Sequence, residues 1–311
     1  MMRLFLISFL FCFSFNAYAE VIKVTILGSG TPRPSIERFS QSILIEANKE
    51  KLLFDVGRGM SIRLNQMDIG IGEVDTVFLT HMHSDHILGL PDLLMTGWIY
   101  QRKNPLTIFG PTGTNKFIKN IKKAFAEDIA IRTVAPENHK LDGLETKIFE
   151  IKEGLVYKKN HLKVLAFRVD HGGGVKHAFG YKIIYKDQSI VISGDTNYSK
   201  NLIKHARNCD LLIHEIADAP DKLIKKFPKV QGLMNYHTTP NEMIKIINEV
   251  NPRYTVLTHV LALGGVSEDQ IIKKIKKGLK KDYVVKIAYD LMSIDVKDNI
   301  KVYSADYTNE R

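Results

Sequence analysis

Apolar and β-branched residues gather in short runs separated by stretches of a longer period. "DTVFLT" (75–80), "FRVDH" (167–171), "IVISGD" (190–195), "LLIHE" (211–215) and "TVLTH" (255–259) have the length and composition of buried strands. Between such runs lie helical patterns. In "IIKKIKKGLKK" (271–281), Ile271, Ile275 and Leu279 recur every four residues, so one face is apolar and the rest is lysine. The alternation predicts an α/β chain. Most of the strand-like runs also share an ending, since a metal-competent residue follows within one or two positions: His81, His171, Asp195, Glu215 and His259. Strands of one sheet can bring such ends together and hold them on a rigid scaffold.

The N-terminus has a different pattern. Arg3 precedes a nearly unbroken apolar run from Leu4 to Phe15, and Ala17-Tyr18-Ala19 follows as an A-x-A site. This is the arrangement of a secretory signal peptide cleaved after Ala19, and it predicts a periplasmic or secreted protein. The run is too short for a membrane-spanning helix, which needs about 20 apolar residues. About 290 residues then remain as one expected domain, 20–311, with no Ser/Gly/Pro-rich linker or low-complexity tract. Cys12 falls in the leader, which leaves Cys209 alone and excludes an intramolecular disulfide. Its place at the start of "CDLLIHE" suits a small buried hydrophobe. The formal net charge is +10, and lysines concentrate in 116–125 and 271–281. Solvated helix faces account for both clusters, and basic charge alone does not establish a nucleic-acid partner.

Chemistry concentrates in "LTHMHSDHILGL" (79–90), with three histidines and an aspartate within six residues. In extended chain, side chains two apart point the same way, so His81 and His83 can converge on one ion. Asp85 and His86 lie beyond the bend and more naturally serve a second. Imidazole nitrogen and carboxylate oxygen both suit zinc. The glycine loop "GSGTP" (28–32) lacks the G-x-G-x-x-G and Lys-Ser/Thr patterns of nucleotide sites, and its glycines suggest a tight turn beneath the metals.

"THMHSDH", "VDHG", "SGDT" and "LTHV", in that order, resemble the metallo-β-lactamase superfamily. "LGSGTPRPSIERFSQSILIE" (27–46), "LLFDVGRGMSIRL" (52–64), "LIHE" (212–215) and "NYHTTP" (235–240) look most like its ribonuclease Z and zinc-dependent arylsulfatase branch. The resemblance implies a four-layer αββα sandwich with a site along one edge of two facing sheets. It assigns a first zinc to His81, His83 and His171, a second to Asp85, His86 and His259, and a bridging role to Asp195. Paired ions can clamp the attacking and leaving oxygens of a displacement and activate water at neutral pH. Asp85 then stands within the catalytic machinery as well as among the ligands. The resemblance further makes His237 an acid for the leaving group and Glu215 its orienter, because an alkoxide leaves poorly without a proton. His177, beyond the glycine run after His171, is a further candidate to face substrate, whereas His139, His161 and His205 carry no companion motif and His214, beside Glu215, is expected to point to the opposite face and pack.

Two departures from ribonuclease Z shape the expected substrate. The tRNA-gripping arm of that family lies between the third histidine and the bridging aspartate, yet here His171 and Asp195 are 24 positions apart, room for a turn and a hairpin. Export also separates the chain from tRNA maturation. The expected activity is therefore hydrolysis of small sulfate or phosphate esters, aryl sulfates first, with a homodimer left open and nucleic acid not expected as partner. The alternatives are a ribonuclease Z-type phosphodiesterase and, third, an iron-loaded thiol or persulfide oxidase.

Overall fold

The computed structural model describes residues 21–305; the leader expectation falls on 1–20, outside the described residues. The first half of the chain supplies β1 (Ile22–Gly28), β2 (Ser42–Ala47), β3 (Glu50–Phe54), β4 (Thr76–Phe78), β5 (Leu106–Gly110) and β6 (Thr146–Glu150). The second supplies β7 (Gly154–Lys159), β8 (Leu162–Arg168), β9 (Phe179–Tyr185), β10 (Gln188–Ile192), β11 (Leu211–Asp218), β12 (Tyr254–Ala262) and β13 (Val285–Ile287). Then β14 (Met292–Val296) and β15 (Lys301–Ser304) return to the first sheet. Among the described residues this gives an eight-stranded sheet, β15-β14-β1-β2-β3-β4-β5-β6, and a seven-stranded one, β13-β12-β11-β10-β9-β8-β7.

Burial explains why the strand runs lack clean alternation. Their inner faces meet in one core: Ile22, Val24, Ile26, Phe54 and Phe78 from the first sheet against Val164, Tyr181, Ile183 and Ile192 from the second. Phe54 and Phe78 stack with ring centres 4.8 Å apart, and the Tyr181 hydroxyl, between the sheets, donates to the Leu79 carbonyl at 2.6 Å. Helices cover both outer faces, so many strand residues are buried on either side. The first sheet carries α1 (Met60–Gln66), α2 (Ser84–Ile87), α3 (Leu90–Ile99), α4 (Thr114–Ala124) and α5 (Ala126–Arg132), with Leu64, Leu90, Leu94, Trp98 and Ile118 packed on Leu44, Leu53 and Val77. The second carries α6 (Lys200–Ala206), α7 (Asp221–Lys226), α8 (Pro228–Tyr236), α9 (Pro240–Val250) and α10 (Glu268–Gly278), with Leu202, Ile246, Ile271 and Ile275 against Val191, Leu212 and Leu257. This is the expected αββα sandwich. No helix among the described residues is long and apolar enough to cross a membrane.

In α10, Ile271 and Ile275 are wholly buried, contributing about 1.5–3 kcal/mol each. That burial holds a short helix whose remaining face is lysine, as the pattern predicts. Leu279 is not part of the helix but its C-cap. Cys209 is buried just ahead of β11, and burial pushes its thiol up to about 12.

Three expectations need correction. The strand anticipated over 75–80 is only Thr76–Phe78, because past it the Thr80 amide donates to the side chain of Asp55 at 2.8 Å. Glu215 and His259 do not follow strand ends; they lie within β11 and β12. The β11/β12 register shifts between Glu215/Thr258 and Ile216/Val260, leaving His259 as an extra residue with φ of 45°. Such a bulge re-aims a side chain without ending the strand. Gly28 and Gly30 do not form a turn. They admit the 38–40 backbone, since a Cβ at Gly28 would lie 1.9 Å from the Ser40 carbonyl oxygen, and one at Gly30 2.7 Å from that of Arg38.

Candidate metal centre

β4, β11 and β12 are members of parallel pairs, and residues at or near their carboxyl ends face one cleft, where open α/β sheets place their ligands. His81 follows β4 in extended chain, and α2 then turns Asp85 and His86 inward. β8 delivers His171 and the β9–β10 hairpin delivers Asp195, so the 24-residue interval holds a hairpin and no arm.

All seven predicted ligands come together. His81, His83 and His171 form one group and Asp85, His86 and His259 another, the donor atoms of each within 4.8 Å of one another. The Oδ2 atom of Asp195 lies between the groups, 3.9 Å from His81 Nε2, 3.8 Å from His171 Nε2, and 3.4 Å from both His86 Nε2 and His259 Nε2. His83 is exposed at the mouth, while the other six are buried.

The hydrogen bonds behind these groups fix which nitrogens carry protons. Thr80 gives its hydroxyl proton to Asp55 at 2.8 Å, so His81 Nδ1, 2.9 Å from that hydroxyl oxygen, is the donor to it. His86 Nδ1 donates to Asp55 at 2.7 Å, and His171 Nδ1 to the Tyr236 carbonyl at 3.2 Å. With Nδ1 so engaged, each ring turns its Nε2 toward the cleft. His83 Nδ1 sits 2.9 Å from one of these atoms and 3.1 Å from another, and a single N–H there can serve only one of them. His86 Nε2 is buried with no hydrogen-bond partner among the described residues. Converging lone pairs with too few protons are what a bound cation would satisfy, and the N/O donor set suits zinc.

Electrostatics divide the cluster: burial would lower His86, but the Asp195 and Asp55 carboxylates outweigh it and raise the ring above the ordinary histidine range. Burial, reinforced for His81 by the neighbouring imidazoles, holds His81 and His171 below the ordinary histidine range, hence neutral. Burial would raise the Asp195 carboxyl, but His259 and His86 outweigh it and keep the group ionised. Burial would likewise raise Asp85, and the bond from His259 at 3.1 Å reverses it.

Beside the cluster, His237 Nδ1 contacts Glu215 Oε1 at 3.2 Å, and the same oxygen accepts from the amides of Thr196 and Thr238 at 3.1 and 3.0 Å. Burial would lower His237, yet the Glu215 carboxylate raises it to about 9. Its ring stacks on His259 at 5.7 Å and meets His171 at 5.1 Å. The two residues thus lie beside the candidate ligands, in contact with each other. A cavity of about 260 Å³ opens here, lined among others by Pro32, Asp85, Tyr236, His237 and Leu261.

His177 is not among the lining residues of that cavity. His205 stacks on Phe167 with ring centres 4.7 Å apart, and His214 is fully buried. Sequence reasoning missed Asp55. Its carboxylate orients both His81, through Thr80, and His86, from a backbone with φ of 56°. The sole signal was an aspartate closing the apolar run of "LLFDVGRG".

A family profile described as "Anti-Pycsar protein Apyc1" matches residues 22–246. The ribonuclease Z of Mycolicibacterium gilvum (strain PYR-GCK) is 30% identical over 244 residues, covering 77% of this chain and 84% of that protein. The ribonuclease Z of Archaeoglobus fulgidus is 24% identical over 326 residues, covering 89% and 98%. Among solved structures, the short form of human tRNase Z superposes with a TM-score of 0.64 at 25% identity, covering 88% of this chain and 99% of its own. The metallo-β-lactamase fold protein YhfI of Bacillus subtilis gives 0.69 at 20% identity, with coverage of 88% and 99%, a likeness of fold alone.

Proposed function

The chain belongs to the ribonuclease Z branch of the metallo-β-lactamase superfamily and to the family of the anti-Pycsar protein Apyc1, and on that premise we propose that this metal-dependent hydrolase cleaves phosphodiesters with alkoxide leaving groups. His81, His83 and His171 would hold one zinc, Asp85, His86 and His259 a second, with Asp195 shared between them. When bound, the ions supply Lewis acidity and activate water at neutral pH.

The observation that carries the reading is the buried Glu215–His237 pair beside the ligand cluster. A phenolate, with a conjugate-acid pKa of about 10, departs readily. A sugar alkoxide is far more basic and needs a proton as its bond breaks. Glu215 accepts at Nδ1, which fixes the ring and keeps it charged, so His237 can donate from Nε2 into the cleft. An aryl sulfatase would gain little from that arrangement. None of the relatives reported above carries a sulfatase description either, so aryl sulfates give way to phosphodiesters as first substrate. Without the arm, a folded tRNA lacks its main grip.

Side-by-side assays of an aryl sulfate, an aryl phosphodiester and alkyl phosphodiesters test the reading. The diesters should be cleaved in preference to the sulfate. His237→Ala should slow alkoxide departure by about 10²–10⁴-fold and phenolate departure little. Preference for the sulfate, or equal losses for both leaving groups, would refute it.

A further inference from the structure

The hairpin of α7 and α8 carries a charge pattern that the fold itself does not use. "DKLIKKFPKV" (221–230) holds Lys222, Lys225, Lys226 and Lys229 against a single acid, Asp221. On α7, Lys222, Lys225 and Lys226 fall within an arc of about 100°, with Leu223 and Ile224 on the opposite side. The apolar side is turned inward, where Leu223, Ile224 and Val230 pack around Ala217, Ala219 and Met234. The lysines therefore project away from the body of the protein, and all four are exposed. At the apex, Phe227 ends α7 and opens α8; its ring is 44% exposed, with the Lys226 ammonium 5.3 Å from its centre.

This concentration of charge works against local stability. Lys222 and Lys226 stand four residues apart, a like-charge pair that destabilises a helix. Lys229 sits in the first turn of α8, where the helix dipole disfavours a cation. Among the described residues no carboxylate pairs with any of the four, in contrast to Lys274, which Asp218 engages at 2.6 Å. An external anionic partner would offset the repulsion and cover the exposed ring. The surface also sets the partner's shape. None of the four lysines lines the cavity at the ligand cluster, the one beside the 30–38 loop or the one along α10, so the basic face is a projection and not a groove. A nucleic-acid strand is held in a basic groove. A projection with an aromatic apex and lysine flanks suits a flat anionic surface into which the ring can insert.

We propose that the α7–α8 apex docks the protein on an anionic phospholipid surface, with Phe227 among the headgroups and the four lysines on lipid phosphates. Beyond the apex, α8 runs to Leu233 and Tyr236 on the wall of the cleft, nine residues or about 14 Å along the helix. Docking would thus set the mouth of the cleft close to the lipid surface. The inference does not depend on which ester the cleft hydrolyses. The lysines of α4 supply an internal control, since Lys119 and Lys123 line a cavity of their own on the other outer layer.

Co-sedimentation of the zinc-loaded protein with phosphatidylcholine vesicles containing about 30 mol% phosphatidylglycerol tests it, beside vesicles of phosphatidylcholine alone. The protein should bind the anionic vesicles, leave the neutral ones, and be released as salt rises from about 0.1 to about 0.5 M. Lys225→Ala combined with Lys226→Ala and Lys229→Ala should weaken binding on the order of 100-fold, roughly fivefold per lysine. Phe227→Ala should weaken it about fivefold, since about half of the ring is left to bury. Lys-to-Arg replacements at the three positions should retain affinity, and Lys119→Ala/Lys123→Ala should leave it unchanged. No binding of anionic vesicles by wild type, equal binding of neutral ones, unaltered binding in the triple variant, or an equal loss in the α4 control would overturn the proposal. So would a protein that ignores vesicles but captures a short single-stranded RNA through these lysines, which would assign the face to nucleic acid instead.

Discussion

Asp55→Asn isolates the orientation of the histidine cluster from its composition. In the wild type, Oδ1 accepts from the Thr80 amide at 2.8 Å, while Oδ2 accepts from the Thr80 hydroxyl at 2.8 Å and from His86 Nδ1 at 2.7 Å. Asparagine offers one acceptor and one donor of the same shape, and it tolerates the left-handed φ of 56° as well as aspartate does. If its oxygen keeps the Thr80 amide, its NH₂ faces His86 Nδ1. That ring must then move its proton to Nε2, the atom 3.4 Å from Asp195 and 3.6 Å from Asp85. A proton there blocks the lone pair the cleft needs. If the amide flips, the Thr80 backbone bond is lost instead. Loss of such an orienting partner costs about 10–100-fold in metal affinity, or roughly 1.4–2.7 kcal/mol. Zinc affinity measured by competition against a chromophoric chelator, with circular dichroism to verify folding, should show that drop. A folded Asp55→Asn protein binding zinc within twofold of wild type would refute the tautomer argument.

Other expectations follow from single contacts. Asp195→Ala removes the oxygen lying 3.4–3.9 Å from four imidazoles, so, on the two-zinc site proposed above, zinc content by plasma mass spectrometry should fall from about two per chain to one or fewer. Gly28→Ala drives a Cβ to within 1.9 Å of the Ser40 carbonyl; overpacking of about 1–3 kcal/mol should lower Tm by roughly 3–10 °C in a thermal melt. The Cys209 thiol, buried and pushed up to about 12, should react with a thiol reagent only in denaturant. We also propose that the leader directs export, in which case mass spectrometry of fractionated cells should find a mature N-terminus at Glu20, and full-length protein in the cytoplasm would contradict it.

Much of the architecture was legible because local pattern and tertiary demand agree. The apolar runs become strands buried on both faces, and the four-residue spacing of Ile271 and Ile275 becomes the buried stripe of α10. The convergence of the "HMHSDH" side chains was legible for a related reason. A strand exit followed by a short helix brings His81, His83, Asp85 and His86 to one cleft, where His83 groups with His81 and Asp85 with His86.

The less legible features depend on pairings between distant residues. Nothing near His259 announces a bulge, because β12 continues as strand on both sides of it and the extra residue exists only relative to the register of β11. Without that bulge, Thr258 and Val260 would flank an ordinary alternating position, and His259 could not reach Asp85 at 3.1 Å while the strand continues to Ala262. Asp55 presents the same difficulty. Its partners Thr80 and His86 lie 25 and 31 positions away, brought to it by the parallel pairing of β3 with β4. A carboxylate that ends an apolar run is common; one that binds a threonine and a histidine flanking the next strand's exit is defined only by the sheet. In this chain the 81–86 part of the site is encoded in local spacing, whereas the placement of His259 and Asp55 is encoded in sheet topology, and only the former can be read along the sequence.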